Sequence, residues 1–355
     1  MEARKADRKS TTTDVAKLLK KLVKENVNGI ILDLRRNGGG SLEEAINLTG
    51  LFIKEGPVVQ VKDSNGDITV DRDTDSAVVY DGPLIVLTSR FSASASEILA
   101  GALQDYGRAL IVGDIATYGK GTVQQIFDLN ALARSGATNL GAVKLTLRKF
   151  YRASGSSTQL KGVVPDIILP SVNNYAEVGE SRQENPLAWD TIDTAKYEPV
   201  NRVQPFLNGL RQRSEKRLAT DKDYAYVRED IEQFKKAQAD KSVSLNEAKR
   251  LQEKKELEAK RSARDKERRT RHEAEAKNYE LTLKQIDLPG LQVPKPKTDL
   301  EADKAVKATP SPLDDPEDAA DEKSPVIDVP LKEAKRILLD LISLSGNGKA
   351  IAVRK

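Results

Sequence analysis

Apolar runs of strand length are confined to the first half of this chain, and that asymmetry limits what it can fold into. NGIILDL (28–34), PLIVLTS (83–89), RALIVGD (108–114) and GVVPDIILP (162–170) are too short for membrane spans and too continuous for half-exposed strands. Between them lie helical patterns. Val15, Leu18, Leu19, Leu22 and Val23 recur on one face, with Thr12 or Thr13 as the predicted cap and Asp14 in the first turn. Leu42 to Ile53 carries Leu42, Ala45, Ile46, Leu48, Thr49 and Phe52, and SASEILAGALQDYG carries Ile98, Leu99, Ala102 and Leu103 before Gly107. Buried runs alternating with short helices predict an α/β core. Two alternating stretches add exposed-faced strands, one pair turning at Asn65–Gly66 and one at residues 143–152.

Beyond Pro170 the texture changes. Residues 211–325 hold most of the charge, so the overall 32% charged fraction describes an ordinary core joined to a charged extension. Lys249 to Lys277 contains twelve basic and seven acidic residues around sparse leucines, which reads either as a solvent-exposed helical appendage or as a partly disordered arm. The predicted division is a helix at 1–25, a core at 26–175, a charged helical region at 176–285, a proline-rich and acidic linker at 286–330, and an amphipathic helix with its tail at 331–355. In the last, Leu331, Ala334, Ile337, Leu338, Leu341 and Ile342 return with helical period, a face suited to docking back on the body.

Side-chain inventory narrows the chemistry. There is no cysteine, so thiolate catalysis, disulfides and cysteine-ligated metals are excluded. The single histidine, His272, lies in the charged stretch and reads as solvated. A proton carrier other than imidazole is therefore required of any enzyme here. The net charge of +4 is near balance, and the local +5 segment interleaves acids with bases and has no aromatic platform; nucleic acid is not an expected partner.

Two clusters sit at strand ends. Asp33-Leu34-Arg35-Arg36-Asn37-Gly38-Gly39-Gly40 leaves a strand and enters a helix, so its glycines can present amides to a negative oxygen, or can simply make an awkward turn. It matches neither dinucleotide nor phosphate-loop fingerprints. In the second cluster Ser92, Ser94 and Ser96 lie at a helix N-terminus, where a serine either caps the helix or meets amides favouring developing negative charge. Lys120 follows, between Gly119 and Gly121. A lysine acts as a base only when neutral, which requires partial burial. With no other base at hand, the pair is coherent as a Ser–Lys dyad.

DLRRNGGG, RFSASASEILAGALQDYGRALIVG, YGKGTVQQ and KFYRASGSSTQLKGVVPDIILP together resemble the serine–lysine C-terminal processing peptidases, in their tail-specific branch. The resemblance runs from about Asn26 to Pro170 and more loosely to the final helix. It implies a mixed-sheet, crotonase- or Clp-like core with a charged, mainly helical extension. It implies Ser94 as nucleophile, Lys120 as general base, Gln124 as the residue orienting that lysine, and the amides of Ala95 and Gly39 as oxyanion donors. It also assigns a catalytic role to Asp105. Eleven positions along one helix is about 16 Å, so the spacing equally fits an anchoring role.

Two departures are present. The lysine loop is one residue longer than expected, and residues 1–25 correspond to neither the PDZ domain nor the helical region that precede such a core. The chain is read as the carboxyl-terminal portion of a larger enzyme. The expected function is a serine endopeptidase acting on proteins selected by an apolar C-terminal tail, needing no cofactor, with an adaptor protein admitted as partner and a periplasmic address. The opening MEARKADRKSTTTD is basic with no apolar segment behind it, so it is not a secretory signal. The alternative is a catalytically impaired fragment serving as a protein-interaction module.

Overall fold

The computed structural model describes residues 9–132, 139–240, 242–271, 277–294 and 327–346. His272 and most of the proline-rich linker lie outside them. The chain forms two compact units, residues 1–234 with 329–355, and residues 235–328.

The first unit runs α1 (Thr11–Lys24), β1 (Ile30–Asp33), α2 (Leu42–Gly50), β2 (Gly56–Asp63), β3 (Ile68–Asp73), β4 (Leu84–Thr88), α3 (Ala95–Asp105), β5 (Leu110–Gly113), β6 (Thr122–Asp128), the single turn α4 (Leu129–Leu132), β7 (Ala142–Arg152) and β8 (Ile167–Ile168). Helix α5 (Leu207–Thr220) and helix α6 (Lys222–Ala239) follow. The cap of α1 is Ser10, whose Oγ accepts from the Thr13 amide at 3.2 Å, rather than Thr12 or Thr13. Thr12 is drawn into the first turn because its amide and hydroxyl both donate to Glu44 Oε2 of α2, each at 2.7 Å.

Strands β1, β4, β5 and β8 make a parallel sheet in the order β1-β4-β5-β8, and β3, β2, β7 and β6 make an antiparallel sheet in the order β3-β2-β7-β6. The hairpin turns where predicted, with Gly66 at φ +94°. The polar stretch after Gly121 becomes edge strand β6, with a register shift at Val123/Gln124.

Strand β4 shows why the apolar runs are continuous. Successive side chains point to opposite faces of a sheet covered on both sides. Leu84 and Val86 join a core built with Leu48 and Phe52 near α2 and with Leu99 and Leu103 of α3. Ile85 and Leu87 join a second core with Leu207 and Leu210 of α5. That second core is completed by helix α8 (Val329–Leu344), which contributes Ala334, Ile337 and Leu341.

Helix α8 is fastened by charge as well as by apolar area. Glu333 is fully buried; it accepts from Ser214 Oγ at 2.9 Å and pairs with Arg217 at 2.8 Å. Arg217 and Arg213 both reach Asp340, and Arg336 reaches Asp221. In the second unit, helix α7 (Glu247–Thr270) buries no residue. Within the charged stretch, the described residues up to Thr270 are thus a solvent-facing helix. No described helix is long and apolar enough to cross a membrane.

Candidate active site

The parallel strands end in the loops that carry the candidate chemistry. After β4 the chain turns sharply into α3, and Ser94 sits at the corner with φ +56° and ψ −115°. A non-glycine residue there is strained, at a cost of about 1–3 kcal/mol, and persists only where the surroundings over-determine it. A comparable strand-to-helix corner presents the serine of the nucleophile elbow in α/β-hydrolase sheets.

The surroundings are visible. Ser92, wholly buried, donates its hydroxyl to the Leu34 carbonyl at 2.8 Å. Ser96, 4% exposed, donates its hydroxyl to the Asn37 carbonyl at 3.0 Å. The same carbonyl accepts from the Ala93 amide at 3.0 Å. Two of the three candidate serines are thus spent joining α3's entry to the glycine loop. Ser94, between them, is the partly exposed one.

Gly39 approaches this corner as only glycine can. Its φ is +95°, and a Cβ there would lie 2.6 Å from the Ala93 carbonyl oxygen and 2.8 Å from both the Ala95 nitrogen and Ser94 Cβ. The Ala95 amide belongs to the first turn of α3, where it has no intrahelical acceptor. The Gly39 amide donates to Asn37 Oδ1 at 2.9 Å.

The residue that unites the site is Glu97, which the sequence reading did not single out. It is fully buried in the first turn of α3. Its Oε2 accepts from the Ser94 amide at 2.7 Å and from the Lys120 amide at 3.0 Å. Its Oε1 accepts from Thr117 Oγ1 and from the Gly119 amide, both at 2.6 Å. Because Ser94 and Lys120 share one oxygen, their nitrogens can be no farther apart than those two bonds laid end to end. Burial pushes the Glu97 carboxyl up to about 7 against the pull of all four donors. The signal was present: Ser94-x-x-Glu97 is the spacing of a capping box, and the Glu97 side chain returns to the Ser94 amide as that motif requires.

Lys120 is partly buried, and its carbonyl accepts from Thr158 Oγ1 at 3.2 Å. Its ammonium makes no hydrogen bond or ion pair among the described residues, so Ser94 and Lys120 meet through their backbones on Glu97. Gln124 is exposed on β6 and donates to Thr146 Oγ1 at 3.4 Å, without a bond to Lys120. Asp105 ends α3, opposite Ser94. Its carboxylate pairs with Arg152 of β7 and accepts from the Ser154 amide at 3.2 Å. Among the described residues no group of three or more His, Asp or Glu side chains could hold a metal ion.

Two family profiles divide the chain between them. Residues 3–169 match peptidase family S41, and residues 173–343 match the C-terminal domain of tail specific protease. The tail-specific protease of Haemophilus influenzae is 44% identical over 238 residues, which is 66% of this chain and 34% of that protein. The carboxy-terminal processing protease CtpB of Bacillus subtilis is 35% identical over 203 residues, 56% of this chain and 39% of the relative. A solved photosystem II D1 C-terminal processing protease is 35% identical, with 45% of this chain and 39% of that one covered at a TM-score of 0.40. The chain therefore spans between 34% and 39% of the length of these two sequence relatives. With a peptidase profile over its first half and the tail-specific C-terminal domain over its second, the chain belongs to the serine-type peptidases of family S41.

Proposed function

We propose that the chain carries the catalytic centre of a serine endopeptidase with a Ser94–Lys120 dyad, acting on proteins selected by an apolar C-terminal tail. The observation that carries this reading is the single buried carboxylate of Glu97 holding the amides of Ser94 and Lys120. Two loops far apart in sequence are thereby registered on one another. The exclusion of thiolates and the dearth of histidine leave lysine as the available base.

In this mechanism Ser94 Oγ attacks the scissile carbonyl carbon while Lys120, neutral at that moment, takes the hydroxyl proton. The oxyanion that forms faces the Ala95 amide and the glycine loop. The Gly39 amide joins it once it leaves Asn37 Oδ1, a hydrogen bond that substrate oxygen replaces. Lys120 then protonates the departing amine, and the Ser94 ester is hydrolysed by water with Lys120 again the base. Gln124, four residues beyond Lys120 on β6, is the residue that orients the lysine in the substrate complex. Asp105 serves by locking the far end of α3 to β7 through Arg152, acting on Ser94 through the helix. A periplasmic address accords with the family resemblance.

A second reading is an impaired protease-like module that binds a partner protein. It is favoured by the Gly39 amide being committed to Asn37 and by the missing bond between Ser94 Oγ and Lys120 Nζ. The two readings separate on cleavage of an unfolded protein with an apolar tail by the intact chain. Ser94→Ala and Lys120→Ala are each expected to reduce it to background while the circular dichroism spectrum is retained. Cleavage surviving Ser94→Ala sinks the catalytic assignment; a wild-type chain that binds the tail without cutting it leaves the second reading in place.

A further inference from the structure

The lysine loop is held by Glu97, by residues 158–163 through Thr158, Leu160 and Val163, and by a further segment. That segment is the stretch just beyond the peptidase core, where the second family match begins at residue 173. Asn174 Oδ1 accepts from the Ile115 amide at 2.8 Å, and Asn173 Nδ2 donates to Asp114 Oδ2 at 3.3 Å. The Glu180 amide donates to the Tyr118 carbonyl at 2.9 Å, and Gln183 Nε2 donates to the Tyr118 hydroxyl at 2.9 Å. Arg90, from the serine turn, donates to the Thr117 carbonyl at 3.0 Å and to the Val178 carbonyl, so it staples both segments.

Two features show that this contact is built rather than incidental. Gly179 has φ +125°, and a Cβ there would lie 2.8 Å from Arg90 Nη2 and 2.9 Å from the Tyr118 carbonyl oxygen. Only glycine lets the backbone come this close in this conformation. Gln159 is wholly buried and faces both ways: its Oε1 accepts from the Gly121 amide at 2.8 Å, while its Nε2 donates to Glu180 Oε1 at 3.3 Å and to the Leu187 carbonyl at 3.1 Å. Tyr118, two residues before Lys120, is thus tied directly to the segment 173–187, and Gly121, immediately after the lysine, is tied to it through Gln159.

We infer that residues 173–187 are a positioning strap for the lysine loop, so that the C-terminal domain is part of the catalytic apparatus and not an appendage to it. The inference rests on the Ser94–Lys120 reading for its catalytic consequence. A strap acts through the loop backbone, touching no substrate, and its loss moves the base without changing how the tail is bound. Misplacement by about 1 Å can cost on the order of 100-fold in rate.

The test uses the intact chain with Gly179→Ala, and with the double variant Asn174→Ala/Gln183→Ala, which removes two bonds to the loop together with the Asn174–Leu169 bond and adds no bulk. Amide hydrogen exchange is read across the loop, and kcat and KM are read separately on a tailed substrate with Ser94→Ala as the blank. The expected result is exchange of the 115–121 amides faster by about tenfold, unchanged exchange in β4, and a kcat lower by at least about tenfold with KM kept. Unchanged loop exchange, or exchange rising equally in β4, overturns the strap. Loss in KM with kcat kept also overturns it. Loop exchange that responds in a wild-type background lacking Ser94-dependent cleavage supports the strap and refutes the proteolytic reading instead.

Discussion

Replacing Glu97 with glutamine tests the centre of the site, because it removes one charge and leaves the shape. A carboxylate accepts at both oxygens, whereas an amide accepts at one and donates at the other. If the glutamine oxygen keeps Thr117 and the Gly119 amide, its NH2 group faces the Ser94 and Lys120 amides, and two buried donors lose their acceptor. Each costs about 1–3 kcal/mol. Against that stands relief from burying a charge. The Glu97 carboxyl is raised from 4.5 to about 7. At about 1.36 kcal/mol per pH unit, that interval is worth about 3 kcal/mol. Loss and relief are of similar size, so stability at pH 8 changes little. The registration of Ser94 on Lys120 does not survive, and the cleavage rate is expected to fall by about 100-fold.

The pH dependence separates this account from a merely structural one. Between pH 4.5 and 7 the folded state holds a proton on Glu97 that the unfolded state has released. Stability contributed by this group therefore declines as pH rises through that window, by about 3 kcal/mol in all, and is flat on either side. Urea unfolding followed by circular dichroism from pH 4 to 8 measures it. Glu97→Gln is expected to lack this component, so that the difference in unfolding free energy between variant and wild type grows in the variant's favour by about 3 kcal/mol across the window. A difference that stays constant from pH 4.5 to 7, or a variant that cleaves at the wild-type rate, refutes the reasoning.

Two further outcomes follow from strain and buried charge. Ser94→Gly accepts φ +56° without penalty, so it is expected to raise the unfolding free energy by about 1 kcal/mol while abolishing cleavage; a fall in stability measured by urea would show the corner is not strained. Glu333→Ala unties Ser214 and leaves Arg217 paired with Asp340, and is expected to cost about 1–3 kcal/mol; a melting temperature unchanged from wild type would mean that α8 is held by its apolar face alone.

What the sequence disclosed and what it withheld divide along physical lines. The parallel strands were legible because a strand buried on both faces must be apolar at every position, as Leu84 to Leu87 are. Helix α8 was legible because its docking face keeps a helical period across Ala334, Ile337 and Leu341. Ser94 and Lys120 stand out in the sequence through their serine and glycine neighbours, and the structure adds that the hydroxyls of Ser92 and Ser96 are bonded to Leu34 and Asn37.

Glu97 was hidden for the opposite reason. A buried charge violates the rule by which cores are read, and its four donors come from a helix turn and a loop that no periodicity connects. Its capping-box spacing pointed to the bond with Ser94, not to those with Thr117, Gly119 and Lys120. The strap was hidden likewise, since Asn173, Asn174, Glu180 and Gln183 form a polar, irregular stretch indistinguishable in sequence from a linker. In both, many of the bonds go to backbone amides and carbonyls, and backbone groups leave no trace in composition. The residues that bring Ser94 and Lys120 together are therefore the ones a pattern search passes over. Fixing two loops to one carboxylate requires only that unpaired amides converge, a property of the fold rather than of any segment.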